Sequence, residues 1–195
     1  EVNEKALKHY LVFQYNPLEE SFFKGVKKLR PGHYYIFENG KLEINCYYNL
    51  TLDYKEMSFD EAVSKIENEV EESVKYHKIS DVEVGSFLSG GVDSSYVVAT
   101  AMPNKTFSVG FDNKGFNETV YAKELSDRLG IENFSKIITP DEFFDGINNV
   151  QYFSDEPHAN LSSVALYFLS KLASEQVKVV LSGEGADELF AGYNE

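Results

Sequence analysis

The chain has 195 residues, of which 43% are hydrophobic and 26% are charged, and its formal net charge at pH 7 is -14. This balance is typical of a globular protein and argues against a disordered chain. The negative charge argues against a nucleic-acid partner, since binding to phosphate backbones depends on lysine and arginine. No apolar run approaches the ~20 residues that cross a bilayer, and no signal peptide opens the sequence. We therefore expect a cytoplasmic protein that does not associate with membranes.

The chain opens on Glu1 rather than Met, so we expect that it begins inside a longer gene product. Its single cysteine, Cys46, excludes an internal disulfide framework and favours a reducing compartment. Because Cys46 lies in a strand-like stretch, we expect a small, buried and unreactive thiol. The four histidines show no metal-ligand spacing, so solvated or capping roles are expected for them.

Residues 1 to 50 predict a short helix followed by a small antiparallel β segment. The Asn39-Gly40 pair is the strongest short hairpin signal in the sequence. The predicted elements here are a helix over Lys5–Tyr15, a turn at Leu29–Gly32, and strands over His33–Phe37 and Lys41–Tyr48. A linker of about ten residues, Asn49–Met57, follows.

From Ser58 onward the sequence alternates helix and strand. Ser58–Glu61 and Thr139–Glu142 are capping boxes, in which the first hydroxyl and the last carboxylate satisfy backbone N–H groups at a helix start. Further strands are predicted over Val82–Leu88, Lys105–Phe111, Phe134–Ile138 and Val177–Leu181, and helices over Ser94–Ala101, Glu118–Leu129 and Ser162–Ser174. The alternation predicts an α/β fold, a parallel sheet with helices on both faces. Ligands of such sheets bind at the carboxyl ends of the strands.

The first loop at such an end, Ser89–Ser95, has the composition of a pyrophosphate site. Gly90 and Gly91 let the backbone turn tightly and bring its N–H groups against oxyanions, and the following helix directs its positive end there. Asp93 suits Mg²⁺ bridged to phosphates. Hydroxyl donors come from Ser89, Ser94 and Ser95. A ligand-free strand-to-helix turn would explain the glycine pair alone but explains the whole string poorly, and a Walker-type phosphate loop is absent.

The second loop, Ser182–Tyr193, places acids after two small residues. Asp187 could share Mg²⁺ with Asp93 if their strands are close, and Glu184 could orient an amine or the activated intermediate. For Asp187 or Glu188 alone, an acid-rich helix start that merely complements the helix dipole is the favoured alternative.

The string Ser89-Gly90-Gly91-x-Asp93-Ser94 resembles the pyrophosphate loop of N-type ATP pyrophosphatases, which split ATP into AMP and pyrophosphate. Ser80–Gly85 before it, and above all Ser182–Tyr193, resemble glutamine-hydrolysing asparagine synthetases. Residues 1–50 resemble the end of the glutaminase (Ntn-type amidotransferase) domain, and 51–195 resemble the first part of the ATP pyrophosphatase domain. The resemblance implies an adenine nucleotide alpha hydrolase-like fold.

The resemblance also implies a reaction: ATP-dependent amidation of aspartate through β-aspartyl-AMP, with nitrogen from glutamine or ammonia. It assigns β-aspartyl-AMP formation to Glu184 and Mg²⁺ binding to Asp93 and Asp187. The implied ATP contacts are Leu88, Ser89, Gly90, Gly91, Asp93, Ser94, Ser95, Val109, Ser182 and Gly183. The family's glutaminase cysteine and downstream synthetase residues lie outside this sequence, so we expect this chain alone to be inactive. A homodimer of the full-length protein is compatible with the resemblance.

Three alternatives stay open at this point. A related amidotransferase could act on another carboxylate, a tRNA-modifying relative shares the first loop, and a non-catalytic module could bind ATP without releasing pyrophosphate. The negative charge and the second loop argue against the tRNA-modifying relative. Weaker features are Gly110, whose small size hints at a close ligand, and Asn117-Glu118, which suits a helix cap as well as a site. The polar loop Ser154–Asn160 resembles an Asp-Glu-Pro segment of the family.

Overall fold

The computed structural model describes residues 1–113, 115, 117–157 and 159–193. It forms two compact units. One unit comprises residues 1–57 and 151–160, and the other comprises residues 58–150 together with the chain from Leu161 onward. The division between domains at residue 50 stays a prediction. No helix of the described residues has both the length and the apolar character that a membrane span requires.

The smaller unit contains α1 (Glu4–Phe13) and a hairpin of β1 (His33–Glu38) and β2 (Lys41–Cys46). The strands pair antiparallel, from His33 opposite Cys46 to Glu38 opposite Lys41. Asn39 and Gly40 turn the chain with φ angles of 51° and 75°, the left-handed conformations that a two-residue hairpin loop needs. The predicted hairpin is confirmed.

The expectation that Cys46 is buried is wrong. Cys46 is exposed, and its Sγ donates a hydrogen bond to the backbone oxygen of Tyr48 at 3.3 Å. Residues on both faces of the hairpin are exposed, including Tyr35, Ile36 and Phe37. A strand-like sequence predicts burial only when a second layer covers the sheet, and the sequence around Cys46 carries no information about that layer.

The larger unit carries four parallel strands in the order β5-β4-β3-β6. Its strands are β3 (Val84–Phe87), β4 (Lys105–Phe111), β5 (Glu132–Ile138) and β6 (Val179–Leu181). Its helices are α2 (Phe59–His77), α3 (Val92–Ala101), α4 (Thr119–Leu129), α5 (Pro140–Phe153, with its end in the smaller unit), α6 (Ser162–Ser174) and α7 (Ala186–Phe190). The α/β fold with a parallel sheet is confirmed.

Helices cover both faces of this sheet, as predicted. On one face, Leu88 packs with Val98 of α3 and Ala122 of α4. On the other face, Phe107 of β4 packs with Ala173, next to Leu169 and Leu172 of α6. A third cluster joins α2 and α3 to the sheet through Val74, Ala101 and Leu181. Three successive residues of β4, Thr106–Ser108, are buried, because successive residues of a strand face opposite sides and helices cover both.

Both predicted capping boxes form. The backbone N–H groups of Ser58 and Thr139 donate to Glu61 and Glu142 at 2.9 and 3.0 Å, and each carboxylate residue donates its own N–H back to the hydroxyl. The pKa of Glu61 lies below its usual value, mainly because of the bond from the Ser58 N–H. The pKa of Glu142 also lies below its usual value. The hydrogen bond from the Lys136 side chain is the larger cause, and the bond from the Thr139 N–H is the second.

Element boundaries differ from the predictions by two residues in two places that bear on the site. The helix after the first loop begins at Val92 rather than Ser94, so Asp93 lies in the first turn of α3. The last strand begins at Val179 rather than Val177, because the Val177 N–H still bonds to the Ala173 oxygen at the end of α6. Neither shift moves the loops away from the carboxyl ends of their strands.

Candidate active site

The two predicted loops line one cavity of about 260 Å³ at the carboxyl ends of β3 and β6. These strands are neighbours in the sheet, so the loops that follow them lie side by side. The cavity is lined by Phe87, Leu88, Ser89, Gly91, Asp93, Ser94, Val109, Leu166, Leu169, Ser182, Gly183, Glu184, Gly185, Asp187, Glu188 and Tyr193. Ten of the twelve predicted site residues are in this set; Gly90 and Ser95 are not.

The base of the first loop is held by its buried strands. The Leu88 N–H donates to the Phe107 oxygen at 2.9 Å, and the Leu88 oxygen accepts from the Ser108 hydroxyl at 2.8 Å. Leu88 itself is only 2% exposed. The loop therefore begins from a fixed point, and Leu88 contributes to the hydrophobic core and to the cavity wall.

Within the first loop, serine hydroxyls accept hydrogen bonds from backbone N–H groups. The Ser89 N–H donates to the Ser94 Oγ at 3.1 Å, and the Gly91 N–H donates to the Ser89 Oγ at 3.0 Å. The two hydroxyl oxygens lie 2.9 Å apart. The Ser95 hydroxyl donates to the Gly91 oxygen at 2.7 Å. These bonds hold a compact turn of N–H donors in front of α3, which suits an oxyanion ligand.

The two loops interlock at Gly183. A Cβ added there would lie 2.9 Å from the Ser94 nitrogen and 3.3 Å from the Asp93 Cβ, closer than side chains tolerate. Only a residue without a side chain allows the second loop to approach the start of α3 this closely. This contact sets the spacing between Asp93 and the acids that follow Gly183.

The second loop presents carboxylates. Glu184 is exposed and Asp187, in the first turn of the five-residue α7, is half-buried. The Glu184 N–H donates to the Ser182 hydroxyl at 3.1 Å. The Tyr193 hydroxyl donates to Glu188, which lowers the pKa of Glu188 and raises the pKa of Tyr193 to about 12. Glu188 therefore stays ionised, and Tyr193 keeps its proton at neutral pH.

The described residues contain no group of three or more His, Cys, Asp or Glu side chains that could hold a metal ion. Mg²⁺ usually binds through one or two carboxylates together with substrate phosphates, so a dedicated protein cage is not required. Asp93 and Asp187 line the same cavity as the serine-rich loop. The donor set therefore fits Mg²⁺ held jointly with phosphate oxygens, and the assignment of the metal ligands stays a prediction.

Sequence reasoning overlooked part of the cavity wall. Leu166 and Leu169 project into it from α6, and their spacing of three residues places them on one helix face. That periodicity indicates a buried face but does not say whether it meets core or cavity. Glu188 and Tyr193 belong to the second-loop motif, yet their pairing depends on a chain reversal after α7 that the residue types alone do not specify.

The fold explains why residue 110 is a glycine and what the Asn117 side chain does. A Cβ at Gly110 would lie 2.4 Å from the Asn117 Oδ1, so the small residue accommodates this side chain. The same oxygen accepts from the Thr119 N–H and hydroxyl at 3.2 and 2.6 Å. Asn117 therefore caps the start of α4.

The polar segment around Glu156 lies in the smaller unit, where the Glu156 carboxylate accepts a hydrogen bond from the Phe22 N–H at 3.1 Å. His158 lies outside the described residues.

Curated relatives match the whole chain or nearly all of it. The chain is 42% identical to asparagine synthetase (glutamine-hydrolyzing) 1 of Bacillus subtilis, over 100% of this chain and 32% of that protein. It is 36% identical to a putative asparagine synthetase (glutamine-hydrolyzing) of Mycobacterium bovis, over 99% of this chain and 31% of that protein. The chain thus spans about a third of these relatives' length. An NMN synthetase structure from Francisella tularensis is 22% identical, covering 71% of this chain and 60% of that one, with a TM-score of 0.42.

Two family models match separate parts of the sequence. Residues 1–48 match the glutamine amidotransferase domain, and residues 65–194 match asparagine synthase. The second match covers more than half of the chain, including both loops of the cavity. This chain therefore belongs to the asparagine synthase family.

Proposed function

We propose that the full-length protein converts aspartate to asparagine with ATP, through a β-aspartyl-AMP intermediate, and takes nitrogen from glutamine or ammonia. The observation that supports this most directly is the shared cavity, in which a loop of N–H and hydroxyl donors faces a loop of carboxylates. Family membership and the amidotransferase match of residues 1–48 support the same reaction. Part of the machinery lies outside this chain in the proposal, so the chain alone is expected to be inactive.

In the proposed reaction, an oxygen of the aspartate side chain attacks the α-phosphorus of ATP in line with the leaving group. The bond from that phosphorus to the bridging oxygen breaks, and pyrophosphate leaves with the electron pair. Ammonia then attacks the acyl carbon, AMP leaves, and one proton is released. The adenylate step is needed because a carboxylate oxygen is a poor leaving group, whereas AMP is a good one.

The first loop is proposed to bind the leaving pyrophosphate. The N–H groups of Ser89, Gly90 and Gly91, together with the start of α3, would meet the charge that develops on it. Ser94 would add a hydroxyl donor, and Ser95 would do so by exchanging its bond to the Gly91 oxygen for one to the ligand. Leu88, Val109, Ser182 and Gly183 are proposed to contact the nucleoside, and all four line the cavity.

The acids have separate proposed roles. Asp93 and Asp187 would hold Mg²⁺ together with phosphate oxygens, and bound Mg²⁺ would neutralise charge on the pyrophosphate. Glu184, exposed at the cavity wall, would accept hydrogen bonds from an amine and so orient the amino acid substrate or the attacking ammonia.

The proposal is tested by measuring pyrophosphate release from ATP by the full-length protein, with and without aspartate, and with glutamine or ammonia as nitrogen donor. We expect release to require aspartate and to yield AMP and asparagine in equal amounts. Release that depends on a different carboxylate would reject aspartate as the substrate. ATP binding without release under any of these conditions would indicate a non-catalytic module instead.

A further inference from the structure

The start of α4 lies against the first loop. Glu118 is the N-cap residue of α4, and its backbone oxygen accepts from the N–H groups of Tyr121 and Ala122 at 3.1 and 3.3 Å. The side chain of Glu118 makes no capping bond, because Asn117 performs that role through its Oδ1. The Glu118 carboxylate is therefore available to interact outside its own helix.

Core packing fixes the distance between α4 and the loop. Ala122 is fully buried and packs with Leu88 and Val98, the residues on either side of the loop in sequence. Tyr121, the residue before Ala122, and Glu118, one turn before it, meet the loop at Gly90. A Cβ added at Gly90 would lie 3.1 Å from the Tyr121 ring and 3.3 Å from the Glu118 Cβ. The backbone and Cβ of Glu118 cannot move away from Gly90 without disturbing buried residues, although its exposed carboxylate can rotate.

The Glu118 carboxylate accepts a hydrogen bond from the Gly90 N–H at 3.4 Å. The neighbouring N–H groups of Ser89 and Gly91 donate to serine hydroxyls, which are neutral and can rotate. Gly90 thus differs from its neighbours, since its acceptor carries a full negative charge. A phosphate oxygen that takes this N–H must displace the carboxylate or lie beside a like charge.

We infer that the Glu118 carboxylate competes with pyrophosphate for the Gly90 N–H, and so limits how tightly the loop retains the released product. This inference rests on the proposed function of the loop. The competition affects product release most, because pyrophosphate carries its charge at the loop without the nucleoside contacts that help to hold ATP. A loop with only neutral acceptors would bind pyrophosphate more tightly and release it more slowly.

The test is direct binding of pyrophosphate to the full-length protein with Mg²⁺, measured by calorimetry for wild type and Glu118→Gln. The glutamine keeps the size and an acceptor oxygen but removes the charge. We expect pyrophosphate to bind about three- to tenfold more tightly to Glu118→Gln, with a difference that shrinks as salt rises. Glu175→Gln, an exposed change at the end of α6, is the charge-matched control and should bind like wild type.

A second readout distinguishes this effect from a general loss of structure. If Glu118 acts as inferred, pyrophosphate inhibits Glu118→Gln at lower concentration than wild type, while thermal unfolding is unchanged. Equal or weaker pyrophosphate binding by Glu118→Gln would overturn the inference, even if wild type showed aspartate-dependent turnover. If Glu118→Gln bound pyrophosphate more tightly but wild type showed no aspartate-dependent turnover, the inference would stand and the proposed reaction would be rejected. Absence of pyrophosphate binding by both proteins would overturn both.

Discussion

The two loops of the cavity follow adjacent parallel strands, yet their chemistry is opposite. The loop after β3 is rich in donors, and the N–H groups of Ser89 and Gly91 already have hydroxyl acceptors within it. It leads into α3, a helix of ten residues. The loop after β6 leads into the five-residue α7 and presents Glu184, Asp187 and Glu188. One loop is suited to anions, and the other to cations and amines.

In the proposed reaction, this difference divides phosphate binding and metal binding between the ends of neighbouring strands. A bound triphosphate needs hydrogen-bond donors and a metal cation at the same time. On one short loop, the N–H donors and the carboxylates that hold the cation would tend to bond to each other. Asp93 is the exception, since it is an acid on the donor loop. It lies beside the point where Gly183 of the other loop packs against Ser94, with 3.3 Å between the Asp93 Cβ and a Cβ added at Gly183.

The largest effect is expected from Asp93→Ala, which removes the acid from the donor loop. Aspartate-dependent pyrophosphate release by the full-length protein should fall by about 10²–10³-fold, since the leaving group loses charge stabilisation. Asp93 is exposed, so the melting temperature should change little. Asp81→Ala, before β3 at the opposite end of the strand, is the control. Wild-type turnover in Asp93→Ala would remove the metal role from this residue.

A somewhat smaller loss is expected from Gly183→Ala. The new Cβ would lie 2.9 Å from the Ser94 nitrogen and must push the loops apart. Such overpacking costs about 1–3 kcal/mol of stability, and a displacement of roughly 1 Å at a reacting centre lowers turnover about 10²-fold. Stopped-flow turnover and thermal unfolding would measure the two effects. Gly115→Ala, whose added Cβ makes only an ordinary 3.5 Å contact, should leave both unchanged.

Ser94→Ala tests whether the internal bonds of the donor loop matter. The change removes the acceptor of the Ser89 N–H and the partner of the Ser89 hydroxyl. We expect the KM for ATP to rise at least roughly fivefold, because each lost hydrogen bond is worth about 1 kcal/mol. Ser174→Ala removes a comparable hydroxyl bond at the end of α6 and serves as the control. An unchanged KM would mean that Ser94 does not organise the loop.

The smallest effect is expected from Tyr193→Phe on the acid-rich loop. The Tyr193 hydroxyl lowers the pKa of Glu188, so its removal should let that pKa rise toward the usual value. The stabilisation from this bond is present above the ordinary glutamate pKa and is lost as pH falls through the lowered one. Carboxyl titration by NMR should show the rise in Tyr193→Phe but not in Tyr152→Phe. A Glu188 titration that stays in place would contradict the pairing.

Much of this architecture could be predicted because local signals agreed with one another. The capping boxes at Ser58 and Thr139 and the Asn39-Gly40 turn depend on neighbours only three or fewer residues away, and all three formed. The exposure of Cys46 and the pairing of Tyr193 with Glu188 could not be predicted, because they depend on which layers and chain reversals surround them. Glu118 was ambiguous between a cap and a site, because the cap at Asn117 is one residue away and only the fold shows which side chain is used.

The position of Leu88 limits which substitutions can alter the wall of this cavity. The same side chain is packed in the core with Val98 and Ala122 and forms part of the cavity wall. A substitution that reshapes the wall at this position also creates a void or a clash between the sheet and two helices. Variation in ligand preference is therefore more accessible at wall positions outside the core, such as the exposed Ser182, than at Leu88. The fold thereby restricts which parts of the site can diversify among related proteins.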